Sequence, residues 1–239
     1  IWTLIEQRDI YRMAVKILIV TATEAEAAIF RDPGSVPGAN STSLFGGTRA
    51  DILVTGIGTM ACAHSLMNHF HKYGKPDLAI NAGIAGSFNS DLRPGYAAVV
   101  LRDCLADFGI DDRGKFIQAA DADFVAGNAN PFSEGGWIEC NNDYTKKLAG
   151  RFHFCTGITS DTVSGSPERI SLLKNRYNPD IETMEGASFF YICALEKVPF
   201  MAVRCISNMV EERNRSSWDI PLALRSLKET TEGIIRLLA

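Results

Sequence analysis

The chain has 239 residues, 46% of them hydrophobic and 22% charged, and a formal net charge of -4. That length and apolar content build one large core without demanding two domains, and a mildly acidic chain with no basic patch argues against a nucleic-acid or membrane partner. No apolar run reaches the roughly 18 residues of a spanning helix, and six dispersed cysteines (Cys62, Cys104, Cys140, Cys155, Cys193, Cys205) with no CxxC pair predict a reducing, cytoplasmic protein with neither disulfides nor zinc.

Residues 1–15 form an N-terminal extension ahead of a single domain over 16–239. Charges interrupt every apolar run in the extension, so it carries no cleavable signal pattern. Short β-rich runs then alternate with helical patterns, which predicts an α/β sandwich. Strands are expected at 16–21, 50–55, 78–82, 97–105, 152–159, 181–184 and 200–207. Helices are expected at 24–31, 60–73, 142–150, 167–176, 187–197 and 220–238. Segments 32–43 and 107–140 read as irregular.

The polar landmarks fall at strand ends, where open α/β sheets bind ligands. Thr23-Glu24-Ala25-Glu26 follows the first strand. It reads either as a capping box or as a carboxylate placed to take a proton from water. Gly56-Ile57-Gly58-Thr59-Met60-Ala61 is a degenerate GxGxxA. The acid expected for a dinucleotide ribose is misplaced, because Asp77 precedes the next strand. A tight turn with close backbone approach fits better. His64, His69 and His71 share one predicted helix without a Glu or Cys to complete a metal site.

Asn81-Ala82-Gly83-Ile84-Ala85-Gly86 reads as a turn or as an amide cradle for a ligand. Thr159-Ser160-Asp161-Thr162-Val163-Ser164 is a polar turn of Asx or Ser/Thr type. Ser166-Pro167 opens a helix as cap and first residue. Glu185 either complements a helix N-terminus or binds a ligand. Arg204 lies inside an apolar strand, and a buried arginine needs a carboxylate partner; Glu26 and Glu185 are the candidates. Asn208 ends that strand as a turn residue or as a reader of a polar ring edge. Ser217 or Asp219 caps the last helix.

Taken in order, Thr55-Gly56-Ile57-Gly58, Asn81 to Gly86, Ser160-Asp161, Met184-Glu185 and Val203-Arg204-Cys205-Ile206-Ser207-Asn208 resemble the purine nucleoside phosphorylase and nucleosidase superfamily. The resemblance covers nearly all of the chain after Lys16. Within it, Glu182-Thr183-Met184-Glu185-Gly186-Ala187, Asp107 to Asp112, and Ser207-Asn208-Met209-Val210-Glu211 through Arg213, Arg215 and Trp218 to Ala223 look most like the futalosine hydrolase family.

The resemblance implies a three-layer α/β/α sandwich with a mixed central sheet, a small nucleoside as partner, no cofactor, and a homodimer or higher homo-oligomer. It implies catalytic roles for Glu26, Arg204 and Asn208. Gly86, Ile84, Val163, Ser164, Met184 and Glu185 are implied to bind substrate. Glu26 matches the carboxylate that activates water, and Glu185 the ribose-hydroxyl acceptor beside Met184. The turn at Val163 lies along the base.

The chain departs from the phosphorylases in having Asn81 and no phosphate-binding arginine in its first strand-end turn. It departs from the methylthioadenosine nucleosidases in having Ile84 in place of serine and Asn208 in place of aspartate. An amide offers an acceptor and a donor to N7–H and O6 of a departing hypoxanthine. The expected reaction is therefore hydrolysis of a futalosine N-ribosidic bond, in menaquinone biosynthesis. The rivals are a 6-amino nucleosidase (methylthioadenosine/S-adenosylhomocysteine or aminodeoxyfutalosine type), a phosphorylase, and a nucleoside-binding module without chemistry.

Overall fold

A computed structural model of the chain describes residues 15–32, 41–125, 129–212 and 214–238. The expected N-terminal extension through Ala14, Arg213 and most of segment 32–43 lie outside the described residues. β1 (Ile17–Thr21) is buried along its whole length and runs parallel to β3 (Thr48–Val54) and β4 (Leu78–Ser87). Its unbroken apolar run suits a strand covered on both faces. β4 pairs in parallel with β11 (Phe200–Met209), which pairs antiparallel with β5 (Ala97–Asp103). β9 (Phe154–Thr159) and β10 (Ile181–Thr183) continue the sheet beyond β5, and β2 (Ser41–Phe45) closes the other edge beside β3. β10 also folds back to pair antiparallel with the end of β4.

The helices are α1 (Glu24–Ala28), α2 (Thr59–Tyr73), α3 (Asp143–Lys146), α4 (Pro167–Tyr177), α5 (Gly186–Leu195) and α6 (Ile220–Leu238). α2 packs on α5, and α6 packs on β11 and β4. The result is the expected α/β/α sandwich around a mixed sheet. Ser166 caps α4 by accepting from Arg169 N, with Pro167 first in the helix. Asp219 caps α6, accepting from Leu222 N at 3.0 Å.

Two expectations are corrected. Segment 81–86 is not a turn after a strand that stops at Ala82, because β4 continues through it to Ser87 and it forms that strand's carboxyl end. β11 pairs with it from Asn81 to Gly86, and β10 adds a partner at Gly86. Pairing on both sides overrides the low strand preference of glycine. Segment 107–140 is not irregular throughout. It holds a hairpin of β6 (Gly109–Asp112) and β7 (Lys115–Gln118), and the short β8 (Ile138–Glu139) on β5. The hairpin loop is Arg113-Gly114, both with positive φ. That is the requirement of a type I′ turn, met without the usual Asn-Gly or Asp-Gly signal.

At the end of β5, Asp103 is buried under the first turn of α5. Its Oδ1 accepts from Thr159 Oγ1 at 2.9 Å, and Thr159 Oγ1 accepts from Ala187 N at 2.7 Å. A Cβ on Gly186 would stand 2.1 Å from Asp103 Oδ2, so this helix start needs glycine. Burial pushes the Asp103 carboxyl up to about 7, against the opposing pull of Thr159 and Arg204. An unfolded aspartate titrates near ~3.9. Between those values the folded chain binds more protons than the unfolded one, so stability is fullest at the acid end and is lost as pH rises through the folded value. Asp103→Asn should flatten that decline in Tm between about pH 4 and 7, as read by calorimetry; an unaltered slope would show that Asp103 does not carry it.

Candidate active site

The carboxyl ends of β1, β4 and β11, with the β10–α5 turn, enclose a cavity of about 230 Å³. Glu26, Ile84, Gly86, Val163, Ser164, Met184, Glu185 and Asn208 all line it, so eight of the nine expected site residues converge. Arg204 does not line it; it lies beneath, 2% exposed.

Glu26 is both cap and cavity wall. Its Oε2 accepts from Thr23 N at 2.9 Å and Thr23 Oγ1 at 2.8 Å, completing the capping box of α1. Its Oε1 accepts from Ile84 N at 3.0 Å. Ile84 thus contributes its amide to the site, and the missing serine hydroxyl does not leave the carboxylate unheld. Three donors hold the Glu26 side chain in place at the cavity wall.

The expected ion pair of Arg204 is a correction. Its guanidinium bonds the side-chain oxygen of Asn81, and the Asn81 carbonyl at 3.3 Å. Among the described residues, no carboxylate lies within 4.0 Å of it. Asn81 in turn donates to Val20 O at 3.0 Å. A Cβ on Gly83 would stand 2.9 Å from both Arg204 Nη1 and Glu26 Oε1, so charge and countercharge face each other across a bare glycine. Arg204 also favours the ionised form of Glu185 across the same region.

Glu185 is the first boundary residue of α5, yet its side chain makes no cap bond there. Its Oε1 instead accepts from Gly58 N at 2.9 Å. Gly58, at φ 94, precedes α2, and the next amide, Thr59 N, donates to Asp161 at 2.8 Å. The positive end of α2 therefore holds two carboxylates, which explains the glycine turn without any nucleotide phosphate. Burial raises the Glu185 carboxyl above its usual range, the Glu26 charge adds to this, and the Gly58 amide and Arg204 oppose it. Ser160 forms the expected Ser/Thr turn, bonding Thr162 O at 2.9 Å and accepting from Thr162 N at 3.1 Å.

Asn208 and Ser207 both line the cavity although they are consecutive in β11. A register shift between Ile206 and Asn208 makes this possible, since a bulge suspends the alternation of faces. Ser207 Oγ donates to Asn208 Oδ1 at 2.8 Å, and Asn208 Nδ2 donates to Met209 O at 3.0 Å. These bonds set the amide's orientation and leave one acceptor site and one N–H free.

The sequence reading missed Glu182 and Trp218 as cavity residues. Glu182 accepts from Ser164 N at 2.9 Å and is bonded to Ser164 Oγ. Burial raises its carboxyl above the usual range, opposed by both Ser164 bonds and by Arg169. The signal was a charge inside a buried strand, the same one that singled out Arg204.

The chain matches the phosphorylase superfamily over residues 16–238. It belongs to this superfamily. It is 29% identical over 225 residues to the futalosine hydrolase of Streptomyces coelicolor, a match spanning 89% of this chain and 92% of that one. It is 25% identical over 240 residues to the 5'-methylthioadenosine/S-adenosylhomocysteine nucleosidase of Lysinibacillus sphaericus, spanning 94% and 99%. The solved nucleosidase of that type from Colwellia psychrerythraea, in complex with adenine, has a TM-score of 0.76 at 19% identity over 95% of this chain and 96% of that one, a likeness of fold. These superfamily relatives are N-glycosyl hydrolases, the enzyme class that the resemblance implied.

Gly83→Ala would push a methyl between Glu26 and Arg204. A displacement of the order of 1 Å in a catalytic group costs about 10²-fold in rate. The variant should lose about that much kcat for purine-nucleoside cleavage while keeping its circular dichroism spectrum. Wild-type turnover would show that the spacing of these two groups is immaterial.

Proposed function

We propose that this superfamily member is a futalosine hydrolase, releasing hypoxanthine and dehypoxanthine futalosine. The observation that carries hydrolysis is the charge of the cavity wall. Glu26, Glu182 and Glu185 line it, and among the described residues no lysine or arginine does. The nearby cation, Arg204, lies beneath the wall and is engaged by Asn81, so a phosphate dianion meets three carboxyl groups and no charge-assisted donor on the described wall. Water is then the nucleophile.

In this reading Glu26 accepts a proton from water as the water oxygen bonds the sugar C1′. The C1′–N9 bond breaks through an oxocarbenium-like sugar, its electron pair leaves with the base, and the base takes a proton at N7 from solvent water. Glu185 accepts from ribose hydroxyls, with Met184 beside the sugar. Arg204 holds positive charge under the two carboxylates. Asn208 accepts from N7–H of the leaving base through Oδ1 and donates to O6 through Nδ2, so charge developing on the base meets fixed dipoles. Val163 and Ser164 border the base.

The second reading is a 6-amino nucleosidase of the methylthioadenosine/S-adenosylhomocysteine or aminodeoxyfutalosine type. The Lysinibacillus relative supports it, as do the apolar cavity residues Ile57, Val210 and Trp218. Asn208 weighs against it, because the second reading favours a carboxylate there. A phosphorylase conflicts with the acidic wall. A binding module without chemistry would use Glu26 only as the cap of α1 and leave its place on the cavity wall idle.

Two further expectations belong to the same reading. One is a homo-oligomer, a dimer or a multiple of one, supported by exposed Ile57 and Met60 beside the cavity. The other is a cytoplasmic location, supported by six buried free thiols.

A purine-nucleoside panel assayed for free base, with and without phosphate, tests the proposal. Futalosine should give hypoxanthine in phosphate-free buffer, faster than methylthioadenosine gives adenine, and added phosphate should not accelerate it. Glu26→Gln should lose about 10²–10⁴-fold in turnover, with melting lowered only by the loss of one acceptor. Strict phosphate dependence, or preference for methylthioadenosine, would contradict the assignment.

A further inference from the structure

We propose that Asn81 is a positioning residue for the cleavage: it holds the Arg204 guanidinium with neutral oxygens, so that the arginine's charge acts on the carboxylates of the cavity wall. The inference rests on the nucleoside-cleaving reading above and adds a role for Asn81 that the resemblance did not supply.

Asn81 lies in β4, between β1 and β11, and is 1% exposed. Its Nδ2 donates to Val20 O on β1 at 3.0 Å. A carbonyl can only accept, so this bond fixes the amide with its NH₂ toward β1 and its oxygen toward Arg204. Asn81 Oδ1 accepts from Arg204 Nη2, and Asn81 O accepts from Nη1 at 3.3 Å. One residue thus presents two oxygens to the two Nη atoms, the fork that a carboxylate usually supplies. Neither oxygen carries a full charge. Arg204 Nε is buried without a hydrogen-bond partner among the described residues.

An arginine held this way keeps its charge uncompensated at contact range. The titratable groups facing it are Glu26 from α1, Cys62 from α2, Asp103 from β5, Cys155 from β9 and Glu185 at the start of α5. Arg204 Nη1 and Glu26 Oε1 would each stand 2.9 Å from a Cβ on Gly83. The two atoms are therefore no more than about 6 Å apart, a range at which opposite charges still favour each other. Burial pushes Cys62, Asp103, Cys155 and Glu185 up, and the Arg204 charge pulls each of them back. An aspartate at position 81 would have the same shape as asparagine, but it would pair with Arg204 in contact and cancel its field. Glu185 would then have its backbone bonds alone against burial and the charge of Glu26. The amide at position 81 therefore extends the ionised range of Glu185 toward lower pH.

The test compares wild type, Asn81→Asp and Asn81→Ala in two readouts. One is the pH profile of kcat/KM for a purine nucleoside. The other is a ¹³C NMR titration of glutamate labelled at its side-chain carboxyl, with the Glu185 signal assigned by its loss in Glu185→Gln; labelling glutamate alone keeps Asp103 silent. In Asn81→Asp the acid limb and the Glu185 midpoint should both rise by about one pH unit, the effect of one nearby charge, and the rate should recover toward wild type above the new limb. Asn81→Ala adds no charge, so its limb should stay in place while kcat falls by about 10²-fold, the cost of a displaced catalytic group. An unmoved limb and an unmoved Glu185 midpoint in Asn81→Asp would mean that Asn81 only packs the sheet and would overturn the proposal. Wild-type kcat in Asn81→Ala would overturn it too, whether or not Asn81→Asp folds. If wild type cleaves no purine nucleoside, the proposed reaction fails separately, and the Glu185 titration still decides Asn81.

Discussion

The site depends on two missing side chains. β4 runs through the middle of the sheet between β1 and β11 and carries glycine at positions 83 and 86. Gly83 is the register partner of Arg204, and its bare face lets Glu26 approach that guanidinium. Gly86 is the register partner of both Glu182 and Asn208. A methyl at either position would stand within 3.0 Å of a neighbouring side chain. Glycine in a strand interior costs about 0.5–1 kcal/mol relative to alanine. β4 tolerates this because it is paired on both sides and mostly buried.

Around that strand, local devices do double duty. The capping box of α1 is built from the same carboxylate that faces the cavity. The N-terminus of α2, a ready anion site, is filled by Glu185 and Asp161 from the protein itself. The bulge in β11 turns two successive side chains, Ser207 and Asn208, toward one cavity. Ionised Glu185 is held in place by the Gly58 amide and the field of Arg204, against burial and the charge of Glu26. A carboxylate so held accepts hydroxyl hydrogens without first shedding a proton, provided the pH lies above its raised titration range.

Much of this was legible in the chain. Continuous apolar runs marked β1 and β11, and Ser166-Pro167 and Asp219 marked helix starts through capping chemistry alone. Glu26, Glu185 and Asn208 stood out as polar groups near strand ends, whereas Ile84, Gly86, Val163 and Met184 came from the resemblance alone; all seven line the cavity. What failed failed for tertiary reasons. Segment 81–86 looks like a turn because glycine is a poor strand former, and only pairing with β11 and β10 makes it a strand. The Arg113-Gly114 hairpin uses a turn sequence without its usual asparagine or aspartate. Arg204 was expected to need a carboxylate at contact distance, but Asn81 supplies the hydrogen bonds while the carboxylates act from further off. Glu182 was passed over although it carries the same mark as Arg204, a charge inside a buried strand.

The central claim is that water, and not phosphate, attacks the sugar carbon in a cavity walled by carboxylates. The direct measurement is a single turnover of futalosine in ¹⁸O-water containing phosphate, with immediate borohydride reduction to prevent exchange at the anomeric carbon and mass analysis of the sugar product. The account predicts one ¹⁸O atom at C1′ and no phosphate ester. An unlabelled sugar 1-phosphate would contradict it.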